Sequence, residues 1–443
     1  MSENRVSIFN ISYLRIIKEK TRKIFRSEFF RSAITLMTGT TVSQIIPMLA
    51  VPIIARLYTP EDFGILALFV SLLSIFSMIA TGMYDHAVML PKDEKEAINV
   101  GILAILITIA ISIVSLVTVI FGKDLIGKLL GSEKIKDWLI FIPVMVTFVG
   151  VYNTLYYWTN RKKRYKRLAG NGVLQTTGTA GIKIFLGAFN LGAGGLVTST
   201  IIGQAFSVLL LGKQTYNDDK GNYNLIERKT LKKIARKYQD FPKYNMPQSF
   251  LDGVRESWIA IIISSFYGPS VLGLFSFTIS ILNKPLNIVG NAVGQVFYEK
   301  AATIYNDKKD LWLITKKTIM SLIYISLPFF IITFFFASRI FQLVFGKQWT
   351  QAGVFASIIT PWLFLRFITS PISTVPVVLN KQKFFLILGI IYNLSLPLSF
   401  LLATSLHYGI LIGLLIFTLI GIINIIIQQV WIREISIKSK INY

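Results

Sequence analysis

Two lysines stand in the middle of long apolar stretches of this sequence. Lys183 lies in "GTAGIKIFLGAF" and Lys284 in "FTISILNKPLNIVGNAVGQVF", and neither has a carboxylate within one helical turn along the chain. An ionisable side chain inside a bilayer is costly and usually lines a cavity or a transport pathway. Because ammonium groups bind phosphates well, these lysines predict a cavity for an anionic cargo and disfavour a cationic one.

Four arginines accompany the lysines within or at the ends of apolar stretches. Arg255 has Asp252 and Glu256 beside it, so it either faces the cavity or is neutralised in place. Arg31 and Arg56 lie near the ends of one stretch, where a long side chain can also reach the membrane interface. The candidates for a cationic substrate-binding cavity are therefore Arg31, Arg56, Lys183, Arg255, Lys284 and Arg366.

Uncharged amides form a second group of candidates. Asn283, Asn287 and Asn291 recur every four residues, which places them on one face of a helix with Gln295 beside them. A lipid-facing helix would not carry amides there, so this face either hydrogen-bonds the hydroxyl groups of a sugar in the cavity or packs between helices. The polar cavity lining is predicted to comprise Gln44, Asn283, Asn287, Asn291 and Gln295.

Residues for catalysis or metal binding are scarce. The chain has no cysteine and 2 histidines, which excludes disulfides, thiolate metal sites and cysteine nucleophiles. We therefore expect no catalytic residue, no metal site and no cofactor.

The elements that position these side chains are predicted to be membrane-spanning helices. The chain has 443 residues, is 53% hydrophobic, and contains apolar runs about as long as a bilayer crossing requires. We predict an all-α membrane protein with twelve transmembrane helices. Their spans lie near 31–57, 63–86, 97–121, 138–158, 168–190, 194–212, 245–266, 271–297, 314–337, 350–370, 384–404 and 408–431.

The basic residues predict the orientation of these spans. The chain carries 46 Lys and Arg against 22 Asp and Glu, and most of the basic residues fall in alternate loops and at both termini. The positive-inside rule then places both termini in the cytoplasm. Attraction to anionic lipid headgroups explains the basic loops "NRKKRYKR" and "ERKTLKKIARK", so a nucleic-acid partner is not expected.

A short phrase that occurs twice predicts two halves. Tyr58, Pro60 and Gly64 have the same spacing as Tyr267, Pro269 and Gly273, each set between two apolar stretches. Since six spans separate the phrases, the halves are parallel repeats, an arrangement that places a transporter's site between them. The predicted divisions are a basic N-terminal segment (1–30), a six-helix bundle (31–212), a linker (213–244), a second six-helix bundle (245–431) and a tail (432–443). Within the linker, 225–238 has helical spacing and is predicted to lie on the membrane as an amphipathic helix.

These phrases resemble those of one known family. "PIIARLYTPEDFGILALF", "AVMLPKDEKEA", "NRKKRYKR" and the echo "YGPSVLGLFSF" are similar to the Wzx-type polysaccharide flippases, which transport O-antigen or capsule repeat units. That family is the polysaccharide transporter branch of the MATE/MOP flippase superfamily. The resemblance extends over the whole chain in the number and spacing of spans, and the first phrase is the most specific.

The resemblance implies a function. It implies that the chain moves undecaprenyl-diphosphate-linked oligosaccharides from the cytoplasmic to the outer leaflet of the bacterial inner membrane by alternating access. The implied fold is two six-helix bundles forming a V around a cationic cavity. The implied drive is a Na⁺ or H⁺ gradient, with Asp85 and His86 as coupling candidates. The implied partners are the lipid-linked glycan, membrane lipids, and the polysaccharide polymerase and assembly proteins.

Two other classes of protein remain open at this stage. A MATE-like exporter of small molecules or drugs shares the implied fold, but its cavity is expected to present acidic or aromatic groups to cations. A polysaccharide polymerase or ligase usually needs a large external loop with catalytic groups, and the external segments here, near 122–137 and 338–349, are short. We therefore expect a transporter and not an enzyme.

Overall fold

The structure is helical throughout the part of the chain that it describes. The computed structural model describes residues 28–221 and 228–441. In these ranges twelve helices have at least 20 residues. They are α1 (Glu28–Leu57), α2 (Pro60–Ile79), α3 (Glu94–Leu129), α4 (Ile142–Arg161), α5 (Tyr165–Ala188), α6 (Gly192–Asp218), α7 (Met246–Tyr267), α8 (Pro269–Asn306), α9 (Leu311–Phe345), α10 (Thr350–Thr369), α11 (Gln382–Ser405) and α12 (Ile410–Ile441).

Many of these helices are suited to a bilayer. Among the described residues, 8 helices are long and apolar enough to cross a membrane, and a bent pair that includes α4 raises the number to 9. A helix of about 20 apolar residues spans the hydrocarbon core of a bilayer. The pattern is that of a multi-pass membrane protein, and twelve crossings remain a prediction.

The phrase after α1 starts α2 by a local capping mechanism. The Thr59 hydroxyl accepts a hydrogen bond from the Asp62 backbone N–H at 3.3 Å, and the Asp62 carboxylate accepts one from the Thr59 N–H at 2.8 Å. Pro60 occupies the first turn, where its missing N–H costs no hydrogen bond. This capping box stops α1 and α2 from merging into one helix.

The two halves pack their helices in the same way. In the first half α1 packs on α5, α5 on α6, α3 on α4, and α4 on α6. In the second half α7 packs on α11, α11 on α12, α9 on α10, and α10 on α12. Adding six to each helix number of the first half thus gives the packed pairs of the second. Between the halves, α2 packs along both α7 and α8.

The two ends of the bundle differ in what they contain. At one end, called here the turn end, α1 connects to α2 and α7 to α8, and the α3–α4 and α9–α10 connections contact them. The other end, called here the linker end, holds the connection between the halves. A short helix there, Arg228–Lys237, is called here the linker helix.

The linker helix packs part of its apolar face on α3. Ile234 and Tyr238 are buried, in one cluster with Ala97 and Val100 of α3. Glu96 of the same helix forms an ion pair with Lys237 and, by accepting its hydrogen bond, raises the pKa of that lysine. Periodicity indicates that a face is buried without indicating whether lipid or protein covers it, so the position of this helix on the membrane remains a prediction.

The described ranges cover the predicted terminal segments unequally. Most of the basic N-terminal segment, 1–27, lies outside them. The predicted tail beginning at 432 is helical, because α12 continues without a break to Ile441. The chain boundaries predicted for the two bundles remain predictions.

Candidate functional site

A large cavity lies between the two halves. Its volume is about 880 Å³, and it is lined by α1, α2, α5 and α6 of the first half and by α7, α8, α10, α11 and α12 of the second. On α8 the lining residues run from Phe275 to Lys284, and on α6 from Leu196 to Gln204. Because both helices begin at the turn end, the cavity occupies the part of the bundle nearest that end.

Four of the six predicted cationic residues meet in this cavity. Lys183 comes from α5, Arg255 from α7, Lys284 from α8 and Arg366 from α10. Glu256 is the one carboxylate among the lining residues, so the described lining has a net positive charge. The first half contributes one of these cations and the second half contributes three.

Two lysines, one from each half, line the cavity without an acceptor. Lys183 comes from α5 of the first half and Lys284 from α8 of the second. Among the described residues neither ammonium has a carboxylate within salt-bridge distance or a hydrogen-bond acceptor. Both lysines are half-buried and have no partner for their charge, so this pair is suited to a bound anion that contacts both halves at once.

The two arginines are held by neighbours in the second half. Arg255 donates to the Asn393 side-chain oxygen at 2.9 Å and lies 5.6 Å from the centre of the Tyr392 ring. Arg255 also lies 3.3 Å from a carboxylate oxygen of Glu256, but the Glu256 side chain is 78% exposed, so this ion pair neutralises the arginine only weakly. Arg255 is thus oriented mainly by neutral groups and keeps its charge for the cavity.

Arg366 is oriented by an aromatic ring one turn earlier in α10. Its guanidinium lies 5.4 Å from the centre of the Trp362 ring, in a cation–π contact. The spacing of four residues on one helix face is visible in the sequence and could have identified this pair. The aromatic residues Phe63, Phe275 and Phe277, which also line the cavity, carry no such signal.

The first half supplies a neutral polar wall opposite these cations. Gln175 donates to the side-chain oxygen of Gln204 at 2.7 Å, which joins α5 to α6. Thr176, Thr179 and Thr200 also line the cavity on these two helices. Sequence reasoning missed the threonines because a threonine within a span usually donates to its own helix, as Thr176 does to the Gly172 carbonyl.

The predicted amides divide into two groups. Gln44 and Asn283 line the cavity. Asn287, Asn291 and Gln295 do not: they continue along α8 towards the linker end, and all three are exposed. The prediction placed all five in one cavity because a four-residue period fixes the face of a helix and not the depth at which the cavity ends.

Two predicted cationic residues are not in the cavity. Arg56 lies at the turn end, where its guanidinium donates to the Leu343 carbonyl of α9 at 3.0 Å. The end of a helix leaves carbonyls without partners, and this arginine satisfies one of them. Arg31 belongs to the part of α1 nearest the linker end, and its side chain lies outside the described residues.

Asp85 and His86 also lie apart from the cavity. They belong to a single-turn helix, Tyr84–Ala87, in the connection between α2 and α3. The buried Asp85 carboxylate accepts a hydrogen bond from the Thr81 hydroxyl at 2.7 Å, and His86 Nε2 lies 3.0 Å from the Tyr157 hydroxyl. Among the described residues no group of three or more acidic or histidine side chains is arranged to hold a metal ion.

The repeated phrase closes the cavity at the turn end, where α2 and α8 touch. A Cβ atom added to Gly64 would lie 1.8 Å from the Pro269 carbonyl oxygen, and one added to Gly273 would lie 1.7 Å from the Pro60 carbonyl oxygen. Each glycine thus packs on the proline of the other phrase. The contact is called here the glycine seam, and it requires glycine because the two backbones are too close for any side chain.

Hydrogen bonds between the halves surround the glycine seam in a matched arrangement. Beside the end of α1, Trp349 Nε1 and Gln348 Nε2 of the second half each donate to the Ala55 carbonyl at 2.7 Å. Beside the end of α7, the Ser264 hydroxyl donates to the Leu130 carbonyl of the first half at 2.6 Å. In both places the connection that follows the third helix of one half contacts the end of the first helix of the other.

Comparison with known proteins identifies relatives of this chain. The family model described as polysaccharide biosynthesis protein matches residues 53–353. The capsular polysaccharide biosynthesis protein CapF of Staphylococcus aureus is 27% identical over 142 residues. That match covers 32% of this chain and 34% of the relative, so the chain spans about a third of the length of the curated relative it matches.

Solved structures of transporters share the fold. The lipid II flippase MurJ in an inward closed conformation superposes with a TM-score of 0.69 at 16% identity, covering 92% of this chain and 90% of MurJ. A multidrug resistance MATE family transporter of the MOP superfamily in an inward-facing conformation gives 0.66 at 14% identity, covering 90% and 95%. The fold is therefore that of the MATE and MurJ transporters.

Proposed function

The chain belongs to the polysaccharide biosynthesis protein family, and on this premise we propose that it is a flippase for undecaprenyl-diphosphate-linked oligosaccharides. It moves these repeat units from the cytoplasmic to the outer leaflet of a bacterial inner membrane by alternating access, and it is a transporter and not an enzyme. The proposal keeps the predicted architecture of twelve crossings in two six-helix bundles that form a V.

The observation that carries the proposal is the unpaired lysine pair in the cavity. Lys183 and Lys284 come from different halves, line the same cavity and have no acceptor among the described residues. A diphosphate has several anionic oxygens and can accept hydrogen bonds from both ammonium groups together. Arg255 and Arg366 add positive charge on the same side of the cavity, so the diphosphate is the part of the cargo that this site holds.

The distribution of basic residues supports the proposed direction. Lys162, Arg164 and Lys237 lie at the linker end, and the positive-inside rule assigns such an end to the cytoplasm. The turn end then faces the outside, and the glycine seam closes the cavity on that side. In this state cargo enters from the cytoplasm, and export requires the seam to open.

Coupling to a Na⁺ or H⁺ gradient remains part of the proposal, through Asp85 and His86. Because these residues lie in the α2–α3 connection, they act on the cavity indirectly, through α2, which packs on α7 and α8, and through the His86 contact with Tyr157 of α4, which packs on α6. Membrane lipids, a polysaccharide polymerase and assembly proteins remain the proposed partners.

A drug exporter with the same fold is the alternative. Such a protein binds cations, and the described cavity lining presents four cations against one carboxylate. Cationic drugs would meet repulsion in this cavity, so its charge favours the glycolipid.

Export of surface polysaccharide in a deletion strain tests the proposed function. We expect the double variant Lys183→Gln/Lys284→Gln to abolish export at normal protein abundance, because the diphosphate loses both ammonium partners. Lys317→Gln, at an exposed position of α9 outside the cavity lining, is the matched control and retains export. Normal export by the double variant contradicts the proposal, and drug resistance without a glycan phenotype favours the exporter.

A further inference from the structure

The amides of α8 that lie beyond the cavity form a continuous polar edge. Ser276, Ser280 and Asn283 line the cavity on α8, and Asn287 and Asn291 continue the same face towards the linker end. Gln295 follows one turn later. From Asn283 to Gln295 the helix rises by about 18 Å, so the edge leads from the cavity over three further turns.

No protein group covers this edge in the described part of the chain. Asn287, Asn291 and Gln295 are exposed, and their amides have no hydrogen-bond partner among the described residues. A neighbouring side of the same helix segment, about 80° away around the helix axis, is packed, because Gly290 lies near the Ser370 hydroxyl and Gly294 near Pro371. An amide that faces lipid without a partner is costly, so these three face water or a polar ligand.

The chemistry of the edge differs from that of the cavity. From Pro285 to Tyr298 the helix carries no charged residue, whereas the cavity beside it carries four cations. Each amide offers two N–H donors and a carbonyl acceptor, which matches hydroxyl groups that both donate and accept. The edge therefore suits a neutral, hydroxyl-rich ligand, and it has no charged group that would attract an anion.

We propose that Asn287, Asn291 and Gln295 form a glycan subsite that is separate from the cationic cavity and binds the sugar portion of the cargo. The proposal rests on the proposed function, because it takes the cargo to have a diphosphate joined to an oligosaccharide. With the diphosphate at Lys183 and Lys284, the sugars extend along α8 towards the linker end. Specificity for the repeat unit then lies at these amides and not at the lysines.

Binding of two lipids that differ only in sugar tests the subsite. The probes are sugar-free undecaprenyl diphosphate and the lipid-linked oligosaccharide fraction extracted from the chain's own host. The measured quantity is the ratio of the two dissociation constants for the purified full-length protein in lipid nanodiscs. The variant is Asn287→Ala/Asn291→Ala/Gln295→Ala, and the control is Val289→Ala/Val296→Ala, which changes exposed apolar positions of the same segment.

We expect the wild-type protein and the control to prefer the glycolipid, and the triple variant to lose this preference by about tenfold or more while it binds undecaprenyl diphosphate normally. An unchanged ratio in the triple variant overturns the subsite and leaves the proposed function standing. Wild-type protein that binds neither lipid overturns both. If the triple variant does not fold, the single variant Asn291→Ala decides the question in the same assay, with a smaller loss expected and an unchanged ratio again overturning the subsite.

Discussion

Replacement of Gly64 by alanine should open the turn end of the cavity. The new Cβ would lie 1.8 Å from the Pro269 carbonyl oxygen, whereas ordinary contact begins at 3.4 Å, so α2 and α8 must separate by about 1.6 Å. Overpacking of this kind costs about 1–3 kcal/mol. This cost destabilises only the state in which the glycine seam is closed. The equilibrium between the closed and open states therefore shifts toward the open state by about 5- to 150-fold.

Cysteine labelling measures this shift directly. The chain has no cysteine, so Ser280→Cys, at a cavity-lining position of α8, provides a single reactive thiol. A membrane-impermeant maleimide is added to the outer face of sealed vesicles, and the labelling rate is compared with and without Gly64→Ala. The control is Gly178→Ala, because a Cβ atom at that position of α5 meets nothing within 4 Å.

The rate should rise with Gly64→Ala and stay unchanged with Gly178→Ala. The double variant Gly64→Ala/Gly273→Ala should exceed the single variant only slightly, because one separation of α2 from α8 relieves both contacts. A folded Gly64→Ala protein labelled at the wild-type rate would refute the assignment of the glycine seam as the closure.

Three further predictions concern the closure, the topology and the cap of α2. In the wild-type protein the Ser265 hydroxyl donates a hydrogen bond to the Leu129 carbonyl, which joins the halves. A disulfide between Leu129→Cys and Ser265→Cys should therefore block export, and a reductant should restore it. Export that persists when cross-linking is complete would contradict the closure. Lys123→Cys should label from outside intact cells and Lys232→Cys only after permeabilisation, and the reverse pattern would invert the proposed topology. Thr59→Ala should lower the free energy of unfolding by about 1 kcal/mol, because the cap of α2 is lost. Thermal unfolding in detergent measures this loss, with Thr118→Ala, at an exposed position of α3, as the control.

Local signals in the sequence predict much of the fold. "YTPEDF" contains the proline and the Thr59–Asp62 pair that start α2, and its echo at Tyr267 marks the corresponding turn between α7 and α8. Long apolar runs predict the helices because a bilayer requires all backbone hydrogen bonds to be satisfied within one segment. What the echo does not reveal is that Gly64 and Gly273 pack on each other's phrase, since that contact joins residues far apart in the chain.

The candidate site is predicted less completely. Lys183 and Lys284 are conspicuous because each is a charge within an apolar run with no carboxylate nearby. Arg56, at the end of its apolar run, lies at the turn end, and its partner, the Leu343 carbonyl, comes from the other half of the chain. The depth of a side chain along its helix, and its partner on a distant helix, are set by tertiary packing and leave no trace in local spacing.

Native mass spectrometry can show whether the cavity lysines hold a polyprenyl-diphosphate saccharide. The protein is extracted gently from its own host, as wild type and as Lys183→Gln/Lys284→Gln, and bound lipids are identified by mass. We expect a polyprenyl-diphosphate saccharide on the wild-type protein and its loss from the double variant. Only ordinary phospholipids on the wild-type protein, in repeated preparations from membranes that contain the precursor, or equal glycolipid occupancy of both proteins, would contradict this expectation.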